Sequence, residues 1–595
     1  MLRISLLPLK REEKMNGFYN RALHINLSQG SFEGESFSDE IYQKYLGGKG
    51  LATYLLLNNT EAGVDPLSEG NVLIFAIGPA TDTKVWGSSR HGVFTKSPLT
   101  GLYAESYSGG SVAEPISRTG YDAVVIKGAS KNPIYLEISN EGVMFHNASH
   151  IWGKDTYETE DILRREVGVK NAGIAVIGPA GENLVRFACI ENNYWRSAGR
   201  TGVGAVMGAK KIKGIAFHGN REKKVARPDL LKKFWDEMRE IGKEDPGAKK
   251  YRDLGTLQMI PLMNKTGAFP TKYWHSGTYD KWQNLTMEAL REKCKVRAHA
   301  CPKCFMACGN LTEVLEGRHK GLKQEVDYEN VGSFGGLCLI DDIVEVVYLD
   351  DICDRLGMDT ITTGNLCGFT IEASHRRDIG ERIEYGDVDS IATLLNKMAR
   401  KEGIGATLAE GIKHASKEWG LEDLAIHVKG LEPACYDPRV LKGMGLTYAT
   451  SDRGACHLRA TFYKAELSGM IAPDQVEGKA EMLIDFEDRH TLFDSLIICR
   501  FFRDLYPWEK ISTIINATTG MELDKKQLQK IASNITNKAR EFNLREGMKR
   551  TDEMLPKRFF EEKLEDSGKV LPKAEFDRML SDYYKIKGWY EPPLE

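Results

Sequence analysis

Val72-Leu73-Ile74-Phe75-Ala76-Ile77-Gly78-Pro79-Ala80 and Ile174-Ala175-Val176-Ile177-Gly178-Pro179-Ala180 are two apolar runs that end in the same four residues. A short run rich in β-branched residues that stops at Gly-Pro reads as a buried strand followed by a turn. Ala123-Val124-Val125-Ile126 reads alike. Arg90-His91-Gly92-Val93 also has an echo, Arg200-Thr201-Gly202-Val203, set ten residues further from its Ile-Gly-Pro-Ala string than in the first copy. Two readings compete: chance recurrence of short strings, or a duplicated unit with an insertion. Duplication predicts two related half-sheets, each turning one arginine and one glycine-rich turn toward a shared ligand. Residues 16–227 are expected to form this β-rich domain.

From Pro228 the texture changes. Residues 230–241, 340–356, 391–401, 408–419 and 527–542 space their apolar side chains as helices do. The fold class expected is α+β: a β-rich N-terminal domain of two related sheets, then two mainly helical domains at 228–430 and 431–595, with the ligand at their junction. Residues 1–15 read as an upstream-start extension. Its charges, Lys10-Arg11-Glu12-Glu13-Lys14, follow a short apolar piece, the reverse of a signal peptide.

Composition narrows the function classes. The chain has 595 residues, too many for one core. A net charge of -3 leaves no basic excess to neutralise phosphates, which argues against nucleic acid. No apolar stretch reaches membrane-spanning length. Eleven cysteines, an odd number in a long chain without a secretion signal, point to free thiols in a reducing cytoplasm.

Three of those thiols stand together in Ala300-Cys301-Pro302-Lys303-Cys304-Phe305-Met306-Ala307-Cys308-Gly309. A fourth, Cys499, lies far downstream. Three local cysteines and one distant one suit a cubane [4Fe–4S] cluster. Zinc is the alternative, but it favours paired Cys-x-x-Cys units or a His pair, and His299 is badly placed two residues before Cys301. Cys189, Cys294, Cys338, Cys353, Cys367, Cys435 and Cys456 read as packing residues.

Other motifs have bland and sharp readings. Gly202-Val203-Gly204-Ala205-Val206-Met207-Gly208 lacks the strand and acidic partner of a dinucleotide loop, and Gly47-Gly48-Lys49-Gly50 is no P-loop. Glycines here let backbone N–H groups approach an anion, and Arg90, Arg196 and Arg200 are either its partners or surface turns. Asp354-Arg355-Leu356-Gly357-Met358-Asp359 ends a predicted helix, and Asp494-Ser495-Leu496-Ile497-Ile498-Cys499 starts the same way and ends on the fourth cysteine. Carboxylates on such turns either accept hydrogen bonds from a heterocycle or simply close a helix. Glu329 and His457 form an acid–base set if they meet in space.

Taken in order along nearly the whole chain, these segments resemble the tungsten-containing aldehyde ferredoxin oxidoreductase family. Tyr45-Leu46-Gly47-Gly48-Lys49-Gly50, Thr95-Lys96-Ser97-Pro98-Leu99-Thr100-Gly101, Ile177-Gly178-Pro179-Ala180-Gly181-Glu182, Phe542-Asn543-Leu544-Arg545-Glu546-Gly547 and Leu555-Pro556-Lys557-Arg558-Phe559 carry the resemblance. It implies a tungsten bis-pterin (tungstopterin) beside a [4Fe–4S] cluster held by Cys301, Cys304, Cys308 and Cys499, with Mg2+ at the pterin phosphates. Arg90 would lie between cluster and pterin, and Gly109, Arg196, Ser197, Gly199 and Arg200 along the phosphates. Asp354, Met358, Asp359, Asp494 and Ile498 would belong to the two pterin turns, Arg453 and Arg459 to the cofactor's surroundings, and Glu329 and His457 to the substrate.

The sequence departs from that pattern in three places. Ile497 replaces a glycine, so the second pterin turn is expected to be reshaped. Tyr107 stands where an asparagine helps hold magnesium. The Glu and His that bind interfacial iron in homodimers fall on Tyr348 and Asp351, so a small iron–sulfur subunit becomes an alternative to the usual oligomer. The resemblance implies oxidation of an aldehyde to a carboxylic acid, His457 polarising the aldehyde oxygen and Glu329 acting as base, with electrons leaving to ferredoxin or such a subunit. A reductase of an activated acid or aromatic substrate on the same cofactor, and a cluster-only electron-transfer subunit, are the competing functions.

Overall fold

The computed structural model describes residues 15–589, so the extension expected at 1–15 lies almost wholly outside the described residues. The N-terminal part contains two six-stranded sheets. The first is built from β1 (Arg21–Asn26), β2 (Ser31–Ser36), β3 (Leu73–Ala76), β4 (His91–Lys96), β5 (Tyr103–Ser108) and β6 (Ala123–Lys127), in the order β2-β1-β6-β3-β4-β5. The second uses β7 (Ile134–Ser139), β8 (Gly142–Asn147), β9 (Gly173–Val176), β10 (Ile190–Asn192), β11 (Arg196–Ala198) and β12 (Ile212–Phe217), in the order β11-β10-β9-β12-β7-β8. Adding six to each strand number turns one order into the other. Strand directions match too: β1–β6 and β7–β12 are the parallel pairs. The recurrence of Ile-Gly-Pro-Ala therefore marks a true duplication.

Alternation within the strands builds the layers. Leu73 and Phe75 of β3, with Ala175 of β9 and Ile177 just after it, face inward into a core between the sheets, where the Phe75 and Phe217 rings lie 5.6 Å apart. Ile74 and Ala76 face outward onto the helix Gly48–Asn59, and Ile174 and Val176 onto the helix Thr156–Val167. The order is helix, sheet, sheet, helix.

The Arg90 and Arg200 strings are not equivalent. Arg90 enters β4, whereas Arg200 leaves β11 and occupies the place that follows Gly109 in the first half. That second echo is coincidence of sequence.

The remainder is mainly helical. A small sheet, β13 (Cys294–His299), β14 (Gly309–Val314) and β15 (Lys323–Glu325), was not anticipated. One apolar cluster draws on both sides of the expected boundary near 430, for example Phe269, Leu366 and Phe369 with Leu446, Tyr448 and Phe462. Among the described residues no helix is long and apolar enough to cross a membrane.

Each half-sheet holds one helix end from this region. The helix Ile343–Leu356 ends at Gly357 (φ 75°, ψ 55°), and the helix Lys479–Leu496 at Ile497 (φ 57°, ψ 55°). Both close the same way: Met358 donates its N–H to the Cys353 carbonyl at 2.9 Å, and Ile498 to the Phe493 carbonyl at 2.8 Å. The next N–H of each turn bonds a loop between strands, Asp359 to the Phe187 carbonyl between β9 and β10, and Cys499 to the Gly87 carbonyl between β3 and β4. Ile497 thus keeps the glycine conformation instead of reshaping the turn, at a cost of about 1–2 kcal/mol for a β-branched residue with positive φ.

Gly78 and Gly178 make these contacts possible. A Cβ would lie 2.3 Å from the Leu496 carbonyl at the first and 2.4 Å from the Leu356 oxygen at the second. Gly78→Ala and Gly178→Ala are each expected to destabilise the protein by about 1–3 kcal/mol through overpacking. Urea or thermal unfolding of the two variants checks this.

Candidate functional site

The turns of both halves open onto one cavity of about 360 Å3. Its wall is assembled from the entry to β4, the end of β5, the β11 turn, the β13–β14 loop, residues 325–330, the end of the helix Ile343–Leu356, and segments around 436, 453–463 and 499–503.

The β13–β14 loop carries Cys301, Cys304 and Cys308. Lys303 and Ala307 both adopt positive φ, coiling the loop tightly. All three thiols and Cys499 line the cavity and are free. Burial pushes the Cys304 thiol up to about 12, with Cys499 and then Cys301 adding to the rise. Cys308 is raised as well, by burial, against the pull of Arg196, with Cys499, Cys304 and Cys301 reinforcing it. Cys301 and Cys499 both oppose ionisation of Cys304 and Cys308, so the four thiols form one group, and positive iron would relieve that penalty. Gly110 donates its N–H to Cys301 Sγ at 3.2 Å, and a Cβ on Gly109 would lie 2.9 Å from the same sulfur. His299 is engaged by Glu325 through Nδ1. Among the described residues, no group of three or more His, Cys, Asp or Glu is arranged to hold a single ion.

Beside the thiols, Arg90 donates to the Tyr107 carbonyl at 3.0 Å, and Arg196 pairs with Glu325 at 2.8 Å. Ser197 donates to Glu191, and the Gly199 carbonyl accepts from the Cys189 thiol. Arg200 joins three segments, donating to Asp359 and to the carbonyls of Ala455 and Glu432. Arg453 holds the Cys456 sulfur at 2.9 Å. Burial raises the Cys456 thiol, but Arg453, Arg459 and Arg200 outweigh it and bring it down to about 7.

The two helix-end turns match in backbone and differ in the partners of their aspartates. Asp354 faces the cavity, accepts from Gln324 at 2.8 Å, and is pushed up to about 8 by burial. Asp494 is held by Arg459 at 2.6 Å and Arg500 at 2.5 Å. Met358 and Asp359 line the cavity, whereas Arg459, Asp494 and Ile498 stand behind its wall. Tyr107 gives its hydroxyl to Glu105 at 2.7 Å, while the buried Asn192, reaching under Ser108-Gly109-Gly110, keeps its side-chain oxygen unpartnered.

Glu329 and His457 do meet. Glu329 Oε1 lies 3.6 Å from His457 Nε2, and both Glu329 Oε1 and His457 Nδ1 lack a hydrogen-bond partner. Glu329 Oε2 accepts from the Cys435 N–H at 3.0 Å. Burial lifts Glu329 to about 7, against that N–H and Arg200. Burial, reinforced by Arg200, Arg453, Arg459 and Arg503, holds His457 well below its usual range. The pair is a base near half-ionisation at neutral pH beside a neutral imidazole.

Sequence reasoning missed Tyr251, Tyr436, Tyr463, Arg500 and Arg503, which also line the cavity. The arginines were in view as Arg500-Phe501-Phe502-Arg503 directly after the fourth cysteine, a charged–aromatic run that a turn explains equally well.

Comparison with known proteins follows the same outline. Residues 22–219 match the family model "Aldehyde ferredoxin oxidoreductase, N-terminal domain", and residues 233–592 match "Aldehyde ferredoxin oxidoreductase, domains 2 & 3". The tungsten-containing aldehyde ferredoxin oxidoreductase of Pyrococcus furiosus is 37% identical, with 97% of each chain covered. That of Thermococcus kodakarensis is 35% identical over the same shares. Among solved structures, the active-site complex BamBC of benzoyl coenzyme A reductase, with 1,5-dienoyl-CoA, superposes with a TM-score of 0.83 at 24% identity, covering 97% of this chain and 95% of that one.

Proposed function

The chain belongs to the aldehyde ferredoxin oxidoreductase family of tungsten enzymes, and from that premise we propose that it oxidises aldehydes to carboxylic acids. The balance is aldehyde plus water to carboxylic acid, two electrons and two protons. One observation carries the reading: a buried carboxylate and imidazole, 3.6 Å apart and each with an unpartnered atom, share a cavity with four thiols.

The residues fit a tungsten bis-pterin. Buried Nε atoms of Arg453 and Arg500 have no partner, as a ligand rich in acceptors requires. The turns Asp354–Asp359 and Asp494–Cys499 would hold the two pterins, Arg90 would separate cofactor from cluster, and Arg196, Ser197, Gly199 and Arg200 would hold the phosphates with Mg2+. Gly109 leaves room for this close approach, and Arg459 fixes Asp494 from behind. Bound there, the group would supply the two-electron oxidation, and Cys301, Cys304, Cys308 and Cys499 would hold a [4Fe–4S] cluster able to carry electrons outward.

The protein's own work is orientation and proton handling. His457, neutral, donates an N–H to the aldehyde oxygen and polarises the carbonyl. Glu329 accepts a proton through Oε1, while the Cys435 N–H fixes its other oxygen. Ferredoxin is the electron acceptor proposed, or a small iron–sulfur subunit. Tyr348 stacks on His319 at 4.1 Å and Asp351 pairs with Arg355 at 2.8 Å, both contacts made within the chain. The cytoplasm is the proposed location.

Purified tungsten-loaded protein should reduce benzyl viologen with an aldehyde and release the matching acid. Failure with a panel of aldehydes, together with viologen-driven reduction of an activated acid, would replace this reading with the reductase.

A further inference from the structure

We propose that Arg503 sets the substrate class of this site and that the aldehydes it takes carry an anionic group, a carboxylate foremost. The proposal rests on the aldehyde-oxidising reading above. Arg503 lines the cavity and is 6% exposed. Its Nη1 donates to the Arg500 carbonyl at 3.1 Å, and its Nε has no partner. Most other guanidiniums here are matched: Arg196 with Glu325, Arg200 with Asp359, Arg500 with Asp494, and Arg453 with the Cys456 sulfur. Among the described residues no carboxylate forms an ion pair with Arg503.

Its neighbours are phenols instead. Tyr251, Tyr436 and Tyr463 line the same cavity. Tyr436 stacks on Tyr463 at 4.2 Å and 7°, and its ring lies 5.6 Å from His457. Tyr251 rests on Phe501 at 4.5 Å. Arg503 and His457 line the same cavity, and Arg503 adds to the positive field that holds His457 neutral. A buried cation without a counter-charge is costly, and an incoming anion removes that cost. A planar guanidinium suits a carboxylate, which it can grip with two parallel hydrogen bonds. Aromatic walls, a cation at one end and the acid–base pair at the other describe a slot for an aldehyde whose far end is charged.

The test uses the tungsten-loaded holoenzyme with benzyl viologen and two substrates, benzaldehyde and 4-carboxybenzaldehyde. Wild type is expected to favour the carboxylated aldehyde in kcat/KM by about 30-fold, the worth of hydrogen bonds to a charged group. Arg503→Gln should bring that ratio close to one, and Arg503→Lys should retain part of it. A wild-type ratio of one or less overturns the proposal, as does an unchanged ratio in Arg503→Gln. Loss of tungsten from Arg503→Gln also overturns it, because the arginine would then serve the cofactor. If Arg503→Gln does not fold, the wild-type ratio decides. If neither aldehyde is oxidised, the aldehyde reading itself has failed. Titration with benzoate then decides whether Arg503 is an anion site: it should bind wild type about 30-fold more tightly than Arg503→Gln, and equal binding removes the site.

Discussion

Glu329→Gln is expected to lower turnover by about a hundred- to ten-thousand-fold, the usual worth of a positioned general base, while leaving tungsten and iron content unchanged. The amide keeps the size of the side chain and its capacity to accept the Cys435 N–H. It loses only the ability to take a proton. The wild-type pH profile carries the same signature. Burial raises Glu329 to about 7, so the base is ionised above that pH and protonated below it. Activity should therefore fall as pH drops through about 7, and the residual activity of Glu329→Gln should lack that limb. His457 is held far below its usual range, so it stays neutral across this window and adds no second limb near neutrality. An unaltered rate in Glu329→Gln would remove Glu329 from the chemistry.

Cys499→Ala should have the second large effect. It deletes the thiol proposed to tie a cluster to the helix-end turn, and the remaining three sit on one loop. Electron exit should slow by about a hundredfold or more, since even residues behind a metal ligand are worth 10–100-fold. Iron content should fall with it. The measurements are iron per chain and viologen reduction. Full iron with full activity would mean that Cys499 is not a ligand. Cys367→Ala is the control: this thiol is buried in the helical core, away from the cavity wall, and its loss should leave iron in place.

The duplicated sheet was legible because Gly78 and Gly178 answer the same physical demand, a helix end pressed onto the strand-end turn. Arg90 and Arg200 misled because four-residue strings do not record which strand they belong to. Only the topology separates an arginine entering β4 from one leaving β11. Ile497 misled in the other direction. Propensity argues against an isoleucine with positive φ, yet the turn packs tightly on the start of the helix Gly48–Asn59: the Ile497 Cδ1 sits 2.8 Å from where a Cβ on Gly48 would be. The helix-end motifs announced themselves as a pair, but the partners of their aspartates differ. Asp494 meets Arg459 and Arg500, and Asp354 meets Gln324.

The meeting of Glu329 with His457 spans 128 residues, the difference between their numbers, and nothing local in the sequence foretells it. The same holds for the aromatic wall. Tyr251, Tyr436 and Tyr463 come from three separate segments and read as ordinary core residues until the fold brings them to one cavity. Asn192 is a case of a partner hidden by a gap: its unpartnered oxygen becomes visible only beside Ser108-Gly109-Gly110.

Metal analysis of the protein purified from its source under anaerobic conditions tests the central claim most directly. About one tungsten and about four irons per chain are expected for a bis-pterin centre beside one cubane cluster. Iron without tungsten or molybdenum would make the chain an electron carrier and contradict the account, and zinc in place of iron would contradict it at the thiols.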